Sequence, residues 1–422
     1  MDPRRYDVLV VGAGPAGSTA ALVLARAGAT VALLDKARFP RDKACGDFIG
    51  PRGLQVLADL DLPEPRGLDV GDMVVLGPTG RRVVLPCFDG TTYPGRARAV
   101  PRAVFDDALR TAALDAGAVA VQGRAGDPVG ADGDIRGFAV AGGGRIHADF
   151  VIGADGATSH VASRAGLVDE ARVLWGFAVR CYAEQRVDLP AITLWEQTPW
   201  HAFPGYGWIF PGPDGVANVG LGIGTLADRQ SGSTAVRVLP AYLQYLADRG
   251  LLDRVPSPAD RRLGGWLKMG MVGTVPAAGR VLLVGDAAGL VNPLQGEGIA
   301  QALTSGRAAA AAVLASPGQA ANRYRRELAR AHLPYQRITA AGHAALVGRP
   351  RVVAAVGRLL TLPLVGPALA GGWGIFWNEL LDGAPPGAAR RVASVSTWLG
   401  RTATGRSEVS RWFDATFGPD AS

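Results

Sequence analysis

Near its start the chain reads YDVLVVGAGPAGSTAALVLARAGATVALLD. An apolar, strand-like run from Asp7 to Val11 meets glycines at 12, 14 and 17. A stretch of helical period closed by Gly28 follows, and then a second apolar run ending at Asp35. That order leaves few folds open: strand, tight turn, amphipathic helix, second strand of an α/β dinucleotide-binding unit. Gly12 permits the turn, Gly14 lets backbone approach a pyrophosphate, and Gly17 lets helix and strand pack closely. Pro15 and Ala16 belong to the helix N-terminus, where unpaired N–H groups and the dipole favour an anion. Asp35, followed by Lys36, stands where an adenosine ribose would be bound. FAD and NAD both remain open on this motif alone.

Two later segments decide between them. DFVIGADGATSHVASRAG, Asp149 to Gly166, is again a strand running into Gly153-Ala154-Asp155-Gly156, then a helix capped by Thr158 or Ser159. GRVLLVGDAAGLVNPLQGEGIAQALTSG, Gly279 to Gly306, gives a strand, then Gly285-Asp286, then a second glycine turn feeding a helix. Each glycine lets a phosphate, ribityl chain or flavin ring lie against bare backbone. An NAD enzyme has no need of a third such site, so FAD is the expected cofactor.

In this order and spacing, the three motifs resemble the flavoproteins built like p-hydroxybenzoate hydroxylase, over most of the chain up to Gly306. The resemblance implies that Gly285 and Asp286 meet the ribityl or pyrophosphate of FAD and that Asp155 lies near the pyrophosphate. It also puts Arg102, in VPRAVFDDAL, beside the cofactor. Pro293, Gly296, Gly298 and Ile299 then border the isoalloxazine, with a helix N-terminus directed at the part of the ring that gains negative charge on reduction. Within that class, FPRDKACGDFIGPRGL (Phe39 to Leu54) and YGWIFPGPDGVANVGLGIG (Tyr206 to Gly224) are similar to the geranylgeranyl reductase family. Its cysteine-glycine signature matches Lys43, Ala44, Cys45 and Gly46, and its aromatic motif matches Tyr206, Trp208, Phe210 and Pro211. Some relatives carry a further glycine and a Thr-Pro pair where this chain has Phe48, Ile49 and Gly50, a departure that bears on substrate more than on fold.

The resemblance implies reduction of carbon–carbon double bonds in an apolar prenyl substrate, which requires a proton at one carbon and a hydride at the other. Tyr206, Trp208 and Phe210 alternate along a strand and can wall a substrate pocket, although ordinary sheet core is the plainer reading. For Cys45 the plain reading is a packing residue; the alternative is a proton source or substrate-shaping wall next to the flavin, with Asp47 as an alternative acid. Lys43 and the glycine turn around Cys45 predict a lowered thiol pKa. Cys87, Cys181, His160 and His201 are assigned structural roles. A monooxygenase on the same fold, and a non-redox FAD-containing cyclase or lipid-binding protein, are the competing functions. A halogenase is disfavoured, because no lysine stands between Lys43 and Lys268.

No second dinucleotide motif is evident, so electrons are expected from transiently bound NAD(P)H or a reduced carrier protein. The net charge of +7 comes almost wholly from arginine, without the interleaved aromatics of nucleic-acid binders. Cysteine and histidine spacing offers no metal site, and the N-terminus carries no secretory pattern, which fits a reducing, cytoplasmic setting. Val352 to Trp377 is apolar but interrupted by Arg358, Pro363 and Pro367. It reads as two short helices packed on the body, with a dip into a membrane interface as the alternative. The domain plan is a discontinuous FAD-binding Rossmann unit (residues 1–75, 100–172 and 272–330), an antiparallel sheet domain (76–99 and 173–271) and a helical C-terminal region (331–422).

Overall fold

The computed structural model describes residues 4–85, 96–131, 134–194, 205–226, 229, 232–256, 262–377, 387–402 and 408–418. Cys87 and His201 lie outside them. The first glycine motif folds as strand Arg4–Val11, helix Pro15–Arg26 and strand Val31–Asp35. The two strands pair in parallel, Val8 with Val31 and Val11 with Leu34. On the other side Arg4–Val11 pairs in parallel with Arg145–Gly153, which in turn pairs with Val281–Leu283. Leu9, Val10, Val151 and Leu282 are fully buried, the continuous apolar pattern expected of a sheet covered on both faces. Helix Ile299–Ala315 packs on Pro15–Arg26. A Cβ on Gly306 would lie 2.2 Å from the Ala16 carbonyl oxygen, so only glycine allows that approach.

Among the described residues a second sheet has seven strands, in the order Leu263–Met269, Leu174–Glu184, Val216–Thr225, Gly205–Phe210, Ala191–Thr193, Met73–Leu76 and Arg82–Leu85. All its pairings are antiparallel except Ala191–Thr193 with Met73–Leu76. One face packs on helix Ser233–Asp248, where Leu239, Tyr242 and Leu243 meet Cys181, Val219 and Leu221, all fully buried. A small sheet joins Phe48–Ile49, Ala97–Ala99 and Leu68–Val70. The mixed α/β architecture expected from the motifs is present, with helices from Ala320 onward.

The apolar stretch beginning at Val352 falls in two helices, Pro350–Leu360 and Gly366–Trp377, broken around Pro363. Among the described residues, no helix is long and apolar enough to cross a membrane. Helix Ala320–Leu346 reaches back to the sheets: the His343 ring lies between the Pro293 and Thr225 carbonyl oxygens, at 3.1 and 2.9 Å. Burial holds this histidine below its ordinary pKa.

Candidate active site

A cavity of about 730 Å³ is lined from both large sheets. Every site residue expected from sequence lines it except Gly17 and Asp47. Its first wall is the glycine turn. Gly12 has φ +106° and a Cβ there would lie 2.3 Å from the Ala154 carbonyl oxygen, while a Cβ on Gly17 would collide with the Gly12 carbonyl. A Cβ on Gly14 would meet only the Arg41 guanidinium, at 3.4 Å, so its backbone is bare toward the cavity. Asp35 accepts from the Ala13 and Ala37 amides, both at 2.7 Å, tying the turn to the second strand.

The second wall holds the other two glycine motifs. Asp155 accepts from the Ser159 hydroxyl at 2.5 Å and from the His160 and Val161 amides at 2.7 and 3.1 Å. Its carboxylate therefore caps the helix His160–Arg164, and Ser159 caps it too by accepting from the Ala162 amide. Asp286 lies 3.4 Å from the Lys43 ammonium. Gly298 precedes helix Ile299–Ala315, where the Glu297 carboxylate accepts from the Ala300 amide at 3.0 Å. A bare glycine cradle, two helix N-termini, acidic residues near the turns and a long cavity form a donor set that fits FAD.

Between these walls runs the segment 41–48. Arg102 and Asp106 form a buried two-pronged pair at 2.7 and 2.8 Å, and Arg41 reaches the same carboxylate at 2.9 Å. Cys45 is half-buried beside Arg102. Burial pushes its thiol up, and the Arg102 charge offsets this only in part. The expected lowering of the thiol pKa is thus reversed: Lys43 is turned toward Asp286, and desolvation outweighs the arginine. Asp47 departs from expectation too. It has φ +59° and turns its carboxylate away from the cavity, accepting from Tyr182 at 2.6 Å, Asn218 at 2.8 Å and the Arg102 amide at 3.2 Å. Burial still raises its carboxyl above the ordinary value.

The third wall is strand Gly205–Phe210. Tyr206, Trp208 and Phe210 face the cavity, while Gly207 faces Tyr242, whose ring would be struck by a Cβ at 2.2 Å. Trp208 donates its indole N–H to Asn218 at 2.9 Å, and Tyr206 donates to the Gln295 carbonyl. Phe48 and Phe210 have ring centroids 4.9 Å apart.

A model of an FAD binding domain matches residues 5–178. Over 321 residues the chain is 37% identical to menaquinone reductase of Mycolicibacterium smegmatis, covering 72% of this chain and 76% of that one. It is 34% identical to digeranylgeranylglycerophospholipid reductase 2 of Methanopyrus kandleri, with coverage of 72% and 76%. The chain belongs to the geranylgeranyl reductase family of FAD-dependent oxidoreductases. A geranylgeranyl bacteriochlorophyll reductase-like protein of Thermoplasma acidophilum shares the fold at TM-score 0.70 and 22% identity, covering 93% of this chain and 99% of that one. The flavin-dependent brominase Bmp2 also shares it, at TM-score 0.67 and 17% identity over 94% of this chain and 99% of its own.

For this family member several residues outside the expected site set pack around the cavity, Asn218 and Gly220 among them although they follow the matched aromatic motif. Lys268 is 1% exposed, and burial lowers its pKa to about 8 against the pull of Asp155, Asp286 and Glu170. Its strand neighbours Leu267 and Met269 line the cavity, but a lone lysine in LGGWLKM gives no local signal. The alternation Gly220, Gly222, Gly224 was readable. A Cβ on Gly220 would lie 2.4 Å from the Trp208 ring, so the glycine seats the indole. Asn218 bridges Asp47 and the Cys45 carbonyl, each at 2.8 Å, a contact between distant segments that spacing does not reveal.

Proposed function

We propose that this protein saturates carbon–carbon double bonds in the prenyl chain of a lipid or quinone. The carrying observation is the apolar end of the cavity: Phe48, Trp208 and Phe210 line it with Gly222, which faces the Trp208 ring, and the Cys45-Gly46 segment lies against them. A Cβ on Gly46 would lie 3.0 Å from Phe210. Such a wall holds an extended hydrocarbon and excludes water. The relatives named as reductases of menaquinone and of a digeranylgeranyl phospholipid support the same substrate class.

FAD, when bound and reduced, supplies a hydride to one alkene carbon. The residues proposed to hold it are Gly12, Gly14, Pro15, Ala16, Asp35 and Lys36 at the first motif. Asp155, Gly285, Asp286, Pro293, Gly296, Gly298 and Ile299 complete the set. The second carbon needs a proton, and Cys45 is the proposed donor. A thiol pushed up by burial is protonated at neutral pH, and the Arg102 guanidinium beside it stabilises the thiolate left behind. Asp47 is a positioning residue in this scheme, since its carboxylate is directed at Tyr182 and Asn218. Electrons come from transient NAD(P)H or a reduced carrier protein. Prenyl lipids partition into bilayers, so the working enzyme is placed at a membrane surface.

The test is anaerobic incubation of dithionite-reduced enzyme with menaquinone and with a geranylgeranylated phospholipid, followed by reoxidation in air so that any quinol formed by dithionite returns to quinone, read by mass spectrometry against an enzyme-free control. Gain of two hydrogens per reduced bond is expected. No gain with either substrate, together with oxygen incorporation in air, would move the protein to the monooxygenases.

A further inference from the structure

The C-terminal helices carry an apolar surface that the cavity does not use. Leu364, in the turn between helices Pro350–Leu360 and Gly366–Trp377, is 94% exposed, and Leu359 and Val365 beside it are 47% and 45% exposed. On helix Gly387–Thr402, Val395 and Leu399 stand one turn apart, with Trp398 adjoining them at three-residue spacing from Val395. All three are exposed, Trp398 to 61%. Ala393 and Thr397 are buried, so the apolar strip is the outward face of that helix. Helix Gly366–Trp377 packs against both neighbours, which joins the two strips in one helical cap.

Charge indicates what covers this cap. No aspartate or glutamate occurs between Glu327 and Glu379, or between Asp382 and Glu408. Arg349, Arg351 and Arg358 stand in the first tract, and Arg390 and Arg391 in the second. A second copy of the chain laid on the same surface would set arginine against arginine. An anionic bilayer has complementary charge, accepts aliphatic tips below the headgroups and holds indole rings at the interface. The cap also touches the substrate sheet: Thr361 occupies the space where a Cβ on Gly77 would fall, in the hairpin Met73–Leu85 at that sheet's edge.

We propose that the Leu359–Val365 turn and the outer face of helix Gly387–Thr402 dock this protein on an anionic lipid bilayer. The inference rests on the prenyl-lipid reading for its purpose, but its test does not.

FAD-loaded protein is sedimented with vesicles of phosphatidylcholine alone and of phosphatidylcholine mixed with phosphatidylglycerol. Binding to the mixed vesicles and little to the neutral ones is expected. The double variant Leu364→Ser with Trp398→Ser should weaken that binding about tenfold or more, and Arg351→Gln with Arg391→Gln should reduce its salt dependence. Both variants should keep bound FAD and turn over detergent-dispersed substrate as the parent does. Equal vesicle binding by parent and variants, or none by the parent, overturns the proposal. A concentration-dependent dimer abolished by the Leu364→Ser and Trp398→Ser changes would assign the cap to a second copy and overturn it as well. Vesicle binding without prenyl reduction would sink only the functional reading.

Discussion

The Tyr182 hydroxyl donates to Oδ2 of Asp47 at 2.6 Å, joining the Cys45 segment to a strand more than a hundred residues away in sequence. The same carboxylate oxygen accepts from Asn218, whose Oδ1 takes the Trp208 indole N–H. Cys45 and Trp208, the proposed proton donor and substrate wall, are therefore fixed to one another through the Asn218 amide, which also donates to the Cys45 carbonyl, and the buried Asp47 carboxylate holds that amide in place. On the far side of Tyr182, the buried Arg180 guanidinium stacks at 4.2 Å and pairs with Asp42.

Replacing Tyr182 by phenylalanine should leave Asp47 with one donor fewer in a place water does not reach. Hydrogen bonds to charged groups are worth ~1.5–3 kcal/mol, and a loss near the lower end is expected in urea unfolding, because Tyr182 itself is only partly buried. A looser segment should also speed alkylation of Cys45. If stability fell while Cys45 reactivity stayed at the parent level, the Asp47 network would not be what positions that cysteine.

Cys45→Ser should keep FAD and fold but lower turnover, since a hydroxyl is a far weaker acid than a thiol. Alkylation of native Cys45 should accelerate only at pH above the ordinary thiol range, because burial raises its pKa. Cys181 sits in the sheet core at 0% exposure with its thiol pushed up to about 11. Cys181→Ser should therefore cost stability through a buried hydroxyl, ~1–3 kcal/mol, and leave the turnover of folded protein unchanged. Parent-like turnover by Cys45→Ser would reduce that residue to packing.

The glycine motifs were legible because each couples a local backbone demand to a fixed neighbour. Gly17 packs against the Gly12 carbonyl within one strand-turn-helix unit, and such local constraints are written in spacing. Trp208 and Phe210 were legible through the two-residue period of a strand. The thiol pKa was not, because burial of Cys45 sets its sign against the Arg102 charge, and spacing does not show whether Lys43 points at Cys45 or at Asp286. That choice is made by a residue more than two hundred positions away. Asp47 failed for the same reason: its left-handed backbone turns the carboxylate toward Tyr182 and Asn218, partners that no sequence window contains.

Lys268 supplies a test with a defined pH window. Its pKa falls from an ordinary 10.5 to about 8 because burial disfavours the ammonium, which corresponds to about 3 kcal/mol. Between those values the unfolded chain binds more protons than the folded one, so stability rises with pH across the window, and below it the penalty is fully present. In flavin-free protein, Lys268→Met should be the more stable at pH 7, and its advantage should shrink as pH climbs through 8 toward 10.5. An advantage independent of pH would mean that methionine simply packs better.

Asp286→Ala should lower FAD affinity by about ten- to a hundredfold, the loss of one charge-assisted hydrogen bond. The Lys43 pair, at 3.4 Å with Lys43 partly exposed, adds little by itself. Lys43→Met should therefore be far milder in flavin retention during gel filtration. Equal flavin loss in both variants would transfer the anchoring role from the carboxylate to the ion pair.

Gly222 allows the proposed substrate wall to be altered without disturbing the fold. It lines the cavity on strand Val216–Thr225, and a Cβ there would lie 3.8 Å from the Trp208 ring and 3.9 Å from the Phe177 carbonyl oxygen, ordinary contact distances. Gly220, two residues earlier, would drive a Cβ to 2.5 Å from the Val179 carbonyl oxygen, which the sheet cannot relieve. Gly222→Ala should thus match the parent in melting temperature and FAD content, with a change of ~1 kcal/mol at most, since alanine also narrows the unfolded ensemble. Its added methyl group projects into the space assigned to the prenyl chain, so KM should rise or fewer double bonds should be reduced per molecule. Gly220→Ala should instead lose stability and flavin together. If folded Gly222→Ala handled every substrate as the parent does, the floor beneath Trp208 would not be where the hydrocarbon lies, and the wall would have to be sought nearer Leu267 and Met269.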